Sequence, residues 1–268
     1  THTIVGAIVG FGLIEVGYQH VQWHQLGDIV LSWVVTPVIS GVIAFLLFKS
    51  VQALIFNAKD PIKKAKRYVP FYIFSVALVI SLVTVFKGLR HLNLKITTTE
   101  SLIIAFVISY VAALVGFFAL RKIPDNINYK DIHEEINVLE RIFGTLMIFT
   151  ACAMAFSHGS NDVANAIGPL AAINSIISSS GIDQQTSGMP FWVLLTGAAG
   201  IVIGLSTYGY KVIATIGGKI TELTPSRGFA AEFATASTVV LASAFGFPIS
   251  TTQTLVGGVL GVGFARGI

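Results

Sequence analysis

The chain has 268 residues, of which 54% are hydrophobic and only 11% charged, with a net charge of +4. Soluble domains carry about 25% charged residues, so this composition excludes an ordinary water-soluble domain and a nucleic-acid-binding surface, and it indicates an all-α, polytopic membrane protein. The one cysteine, Cys152, excludes a disulfide within the chain and most cysteine-based metal sites.

The first residues, THTIVGAIVGFG, hold no initiator Met and no signal-peptide pattern, and they start inside an apolar run. They read as the beginning of a C-terminal portion of something longer. Ile4–Val16 is too short to span a bilayer. Asp28–Phe56 is long enough to cross with tilt, with Pro37 as a possible kink. Val69–Phe86 and Ser101–Leu120 each approach the roughly 20 residues that a span requires. Ile142–Ser157, Val163–Ile177, Phe191–Tyr208, Gly228–Ala244 and Leu255–Phe264 complete the series. Tyr18, Trp23, Trp33, Trp192 and Tyr208 lie near run ends and read as interfacial anchors.

Loop charges orient these runs. AKDPIKKAKRY carries Lys59, Lys63, Lys64, Lys66 and Arg67, and the loop from Arg121 to Glu140 carries Arg121, Lys122 and Lys130. The positive-inside rule places both in the cytoplasm, against a less basic loop with Lys87, Arg90 and Lys95. The water-facing stretch PDNINYKDIHEEINVLERI reads as a connector whose C-terminal half is an amphipathic helix on the membrane surface.

Two polar patches interrupt the apolar pattern. The first is FSHGSNDVANAIGPL, residues 156–170, with Asp162 at its centre. An ionisable side chain at membrane depth costs several kcal/mol unless it finds a partner or water. Asp162 could be protonated, paired with a distant cation, or bound to a metal cation. Its neighbours favour the last, because Ser157, Asn161 and Asn165 offer the oxygen ligands that hard cations take. Gly159 suggests a helix break, with Ser160 or Asn161 capping the run that starts at Val163. The second patch is FPISTTQT, residues 247–254. Pro248 interrupts the run, and Ser250, Thr251, Thr252 and Gln253 open a new helix whose N-terminus suits an oxyanion.

The two ends match each other. Thr1–Gly12, THTIVGAIVGFG, aligns with Thr252–Gly263, TQTLVGGVLGVG, so Thr1 and His2 occupy the places of Thr252 and Gln253. Such a repeat suggests two halves of inverted topology around a shared site. Glu15 and Glu232 lie in or near apolar runs, with Arg227 and Lys219 as possible ion-pair or gating partners for Glu232 or Glu222. The chain has no HExxH pair and Asp162 has no second carboxylate in its motif. Ser157 and His158 are adjacent and poorly placed for a triad, so an intramembrane enzyme is not indicated.

At the two patches the sequence resembles the inorganic phosphate transporter (PiT) family. GSNDVANAIGPL matches the family's duplicated signature, and TPSRGFAAEFATAS followed by GFPISTTQTLVGG resembles the region downstream of its second copy. The resemblance implies a helical inverted-repeat carrier with discontinuous helices, a homodimer in the inner cell membrane. Its cargo would be phosphate coupled to Na⁺, with H⁺ coupling, a metal-phosphate cargo or another oxyanion such as sulfate as alternatives. It implies that residues 1–17 are the tail of the first repeat, 18–120 connecting helices, 121–138 a cytoplasmic loop and 139–268 the second repeat. Carried over by position, Thr1, His2, Ser160, Asn161, Asp162, Ser250, Thr251, Thr252 and Gln253 would contact phosphate. Ser157, Asn161, Asp162 and Asn165 would hold Na⁺, and no other cofactor is implied.

Overall fold

A computed structural model describes residues 1–15, 17–84, 97–123, 132–178, 190–219 and 223–267. All regular structure among them is helical. In chain order the helices are α1 (His2–Glu15), α2 (Trp23–Val51), α3 (Pro61–Val83), α4 (Thr98–Arg121), α5 (Ile132–Ser178), α6 (Phe191–Gly204), α7 (Tyr210–Lys219), α8 (Pro225–Ala244) and α9 (Thr251–Arg266). Among the described residues, five segments are long and apolar enough to cross a membrane: Trp23–Phe56, Pro61–Leu82, Thr99–Arg121, His133–Ala171 and Phe191–Thr215. Helices α8 and α9, expected as spans, are not among them. Helix α9 has only 16 residues, and α8 is interrupted by Arg227, Glu232 and several Ser and Thr.

Helices α8 and α9 instead form the centre of the molecule with α2 and α5. Ala44 and Phe48 of α2, Phe143 and Leu146 of α5, Ala230 and Ala234 of α8, and Val259 and Val262 of α9 share one buried cluster. The close approach of α9 to α2 depends on glycine. A Cβ on Gly257 would run into the backbone of Pro37, and one on Gly261 into that of Gly41. Glycines of α9 thus serve close helix packing. Pro37 lies within α2 without ending it.

The helix ends follow from local chemistry. Pro61 opens α3 at a position where its missing N–H costs nothing. Thr97 and Glu100 form a capping box on α4: Glu100 N–H donates to Thr97 Oγ1 at 3.3 Å and Thr97 N–H to Glu100 Oε2 at 2.8 Å. The start of α8 is capped from another helix, because Glu140 of α5 accepts from Ser226 N and Ser226 Oγ, both at 2.8 Å. Helix α8 ends at Gly246, whose φ of +77° favours glycine. Phe247 N–H donates to Ala242 O and Gly246 N–H to Ser243 O, the double return bond of a Schellman motif. An extended link through Pro248 and Ile249 then leads to α9.

The predicted helix discontinuity is thus present at the second polar patch and not at the first. Helix α5 runs unbroken for 47 residues through Gly159, so neither Ser160 nor Asn161 is a cap. Glycine in a helix costs about 1 kcal/mol. A break in hydrocarbon would leave several backbone groups unsatisfied at several kcal/mol each, so the cheaper outcome is continuity. The expected surface helix before Ile142 is likewise the first turns of α5. Lys87, Arg90, Lys95, Lys130 and Glu222 lie outside the described residues.

Candidate functional site

Helical spacing places Ser157, Asn161 and Asn165 on one stripe of α5, and His158 and Asp162 on the adjoining one. This stripe faces the extended link between α8 and α9. That link cannot satisfy its own carbonyls, and the site is built on them. Ile249 is fully buried, and its carbonyl accepts from Asn161 Nδ2 at 3.0 Å and from Thr1 Oγ1 at 2.9 Å. Thr1 Oγ1 in turn accepts from Asn165 Nδ2 at 3.0 Å. Trp33 donates its indole N–H to Pro248 O at 3.0 Å, and its ring lies 3.8 Å from that of His2.

The carboxylate of Asp162 is half-buried and surrounded by donors. Asn161 Nδ2 reaches Asp162 Oδ1 at 3.0 Å, and Thr251 Oγ1 reaches the two carboxylate oxygens at 3.5 and 3.3 Å. His158 Nε2 lies 2.5 Å from Asp162 Oδ2.

This network fixes which amide atoms face outward. Asn161 Nδ2 sits between a carboxylate and a carbonyl, which only accept, so the nitrogen must be there. Thr1 spends its only O–H on Ile249 O, so Asn165 must present its nitrogen to Thr1. Both side-chain Oδ1 atoms are therefore left over as acceptors. Pro169 inside α5 has no N–H to give the carbonyl four residues earlier, so the backbone oxygen of Asn165 lacks its usual helical donor. Among the described residues no group of three or more His, Cys, Asp or Glu converges. Any cation held here would meet amide, hydroxyl and carbonyl oxygens around one carboxylate, a set suited to a hard ion.

Two helix N-termini also meet here. Thr1 O accepts the first return bond of α1, from Val5 N–H. Ser250 caps α9 by accepting from Gln253 N at 3.4 Å. Thr1 and Asn161 share Ile249 O, while Thr251 touches Asp162, so the positive ends of α1 and α9 lie side by side. A cavity of about 580 Å³ opens there, lined by Thr1, Asn165, Gly168, Pro169 and Pro248, by His20, Gln22 and Gln25, and by apolar side chains of α1 and α2.

The structure thus brings together Thr1, Asn161, Asp162, Asn165, Ser250 and Thr251. Ser157 is buried one turn before Asn161 and donates to Ala153 O at 2.8 Å. The side chains of His2, Thr252 and Gln253 are exposed and stand outside the hydrogen-bonded cluster. Of Ser160 and Lys219 only the helical backbone is described. Glu15 is exposed at the end of α1. Glu232 lies in α8, where its Oε2 accepts from Thr150 Oγ1 at 2.7 Å.

Two contributors were not legible at first reading. Asp162 does have an imidazole partner in its own motif, and the spacing of four between His158 and Asp162 was the available signal. Trp33 also contributes, since its half-buried indole N–H finds an acceptor in Pro248 O, which its place near the start of an apolar run did not reveal.

Residues 1–267 match the family model described as the phosphate transporter family. The chain belongs to this family. It is 51% identical over its whole length to a Haemophilus influenzae protein named as a phosphate permease, covering 63% of that protein. It is 40% identical to the inorganic phosphate transporter 2-1, chloroplastic, of Arabidopsis thaliana, with all of this chain and 48% of that one covered. A solved structure described as the sodium-dependent phosphate transporter superposes with a TM-score of 0.85 at 44% identity, covering 99% of this chain and 64% of its own. The chain therefore spans a little under two thirds of the length of these phosphate transporter relatives, or less. The family is one of transporters, not enzymes.

Proposed function

We propose that the complete protein carries inorganic phosphate across a membrane together with Na⁺, and that Asp162 with the oxygens of Asn161 and Asn165 receives the ion. The observation that carries this reading is the sorting of the two amides. Three of their four N–H groups go to Ile249 O, Asp162 and Thr1, which fixes the Oδ1 of each amide as an acceptor. Phosphate then has its place at the paired N-termini of α1 and α9, where backbone N–H groups of the first turns lack helical partners. Cation and anion would lie close enough to favour each other's binding, which is how a gradient of one drives the other. Ser157, Ser160, Thr252, Gln253 and His2 belong to the same region in this reading, with the exposed three becoming buried once the rest of the protein is in place. Residues 139–268 act as the second repeat, 1–17 as the tail of the first, 18–120 as connecting helices and 121–138 as a cytoplasmic loop, in a homodimer of the inner cell membrane.

The contact of His158 with Asp162 favours one second reading, in which a proton on that pair replaces Na⁺. Uptake of labelled phosphate into proteoliposomes holding the complete protein separates them. An inward Na⁺ gradient at equal pH drives accumulation under the first reading. Equal uptake with K⁺ in place of Na⁺, driven by a pH gradient alone, would replace it with the second.

A further inference from the structure

Helix α1 buries none of its residues, although it matches α9, where Thr254, Gly257, Gly258 and Gly261 form a buried face. The matching residues of α1 are Thr3, Gly6, Ala7 and Gly10. Thr3, Gly6 and Ala7 are exposed, and Gly10 is partly so. In α9 a Cβ on Gly257 or Gly261 would strike the backbone of α2. At Gly6 or Gly10 it would meet nothing within 4 Å among the described residues. This face is turned away from the cavity at the site, which the Ile4, Val5, Ile8 and Gly12 side of α1 lines. Glycine inside a helix is unfavourable relative to alanine, and the close approach of a second helix backbone is what offsets that in a membrane. Lipid chains need no glycine to approach a helix.

We infer that this face of α1 is the docking surface for one helix of the complete protein, the repeat counterpart of α2. The inference rests on the reading of residues 1–17 and 139–268 as parts of two related repeats. Helix α2 follows α1 in the chain and packs on α9. Exchanging the two halves about a two-fold axis turns that contact into one between α1 and the helix that follows α9. The N-termini of α1 and α9, which meet at Ile249, mark the place of such an axis. Repeat order puts the counterpart of α2 outside residues 1–268, within the length by which the phosphate transporter relatives exceed this chain. Helix α2 also tells what the counterpart offers. It needs a small residue at the crossing, as Gly41 is for Gly261, and a hydroxyl for Thr3, as Thr36 is for Thr254 at 3.4 Å.

The test is photo-crosslinking of the complete protein in proteoliposomes. The register of the repeat continues to Leu13 and Ile14, which match the exposed Phe264 and the buried Ala265. Placed at Ile14, p-benzoylphenylalanine should crosslink to a peptide of the same copy outside residues 1–268, mapped by mass spectrometry. The same probe at Leu13 should label lipid. Gly10→Leu should lower the thermal unfolding midpoint of the complete protein by at least about 3 °C, and the crosslink decides the matter if this variant does not fold. A crosslink from Ile14 to lipid alone, to a residue within 1–268 or to a differently tagged second copy would overturn the assignment. So would an unchanged midpoint in Gly10→Leu. Na⁺-driven phosphate uptake by the same proteoliposomes is read separately. Its absence with the Ile14 crosslink present would strike the transport reading and leave the docking surface standing.

Discussion

The Asp162 carboxylate is stabilised by oriented neighbours rather than by a fixed positive charge of Lys or Arg. Insertion measurements put an aspartate at the bilayer centre at about 2.5–3.5 kcal/mol, and each hydrogen bond to a charged group returns about 1.5–3 kcal/mol. Asn161, Thr251 and His158 together offset that cost while leaving the amide oxygens of Asn161 and Asn165 open. Asn161 also holds Ile249 O, so its loss is structural as well as functional. Asn161→Leu, of similar shape, should lower unfolding stability by about 1–3 kcal/mol, read from thermal unfolding in detergent, and should reduce Na⁺ affinity. Under the proposed function, a proton on the His158–Asp162 pair would compete with Na⁺ for the carboxylate. Lowering the pH from about 7.5 to 5.5 should therefore weaken Na⁺ binding in the wild type. His158→Gln should flatten that pH response while still binding Na⁺. An unchanged pH response in the variant would place the competing proton elsewhere.

The elements of this fold were legible in unequal measure. Spans with uniform apolar composition, such as Ser101–Leu120, could be read because length and hydropathy alone decide them. The interruption at FPISTTQT was also readable from Pro248, and Gly246 at φ +77° completes it, whereas Pro37 and Pro169 alone do not end their helices. Gly159 was not a reliable signal, because an unbroken backbone ladder in α5 outweighs the propensity of a single residue. The pairing of amide donors with Ile249 O was hidden too, since it joins residues 88 and 248 positions apart. Packing of α9 on α2 gives a direct check. Gly261→Leu places side-chain atoms where the Gly41 backbone lies, and should destabilise the protein by at least the roughly 1–3 kcal/mol of core overpacking. Gly263→Ala meets nothing within 4 Å, so the same thermal unfolding measurement should show no loss.

At the scale of the molecule, one long helix and two helix N-termini would supply complementary halves of the proposed binding site. Helix α5 contributes acceptors and a negative charge, and α1 and α9 contribute the positive ends of their dipoles. Neither half alone explains cotransport, because an oxygen cage would bind a cation unaided and a helix N-terminus an anion unaided. Under the proposed function, their contact through Ile249 would make the binding of one depend on the other. That dependence is reciprocal by linkage. The most direct measurement is therefore the equilibrium dissociation constant of phosphate for the complete protein, by titration calorimetry, with and without about 100 mM Na⁺ at constant ionic strength. Coupling through Asp162 requires that Na⁺ tighten phosphate binding at least tenfold and that Asp162→Asn abolish the effect. Phosphate affinity indifferent to Na⁺, or a Na⁺ effect that survives Asp162→Asn, would contradict it.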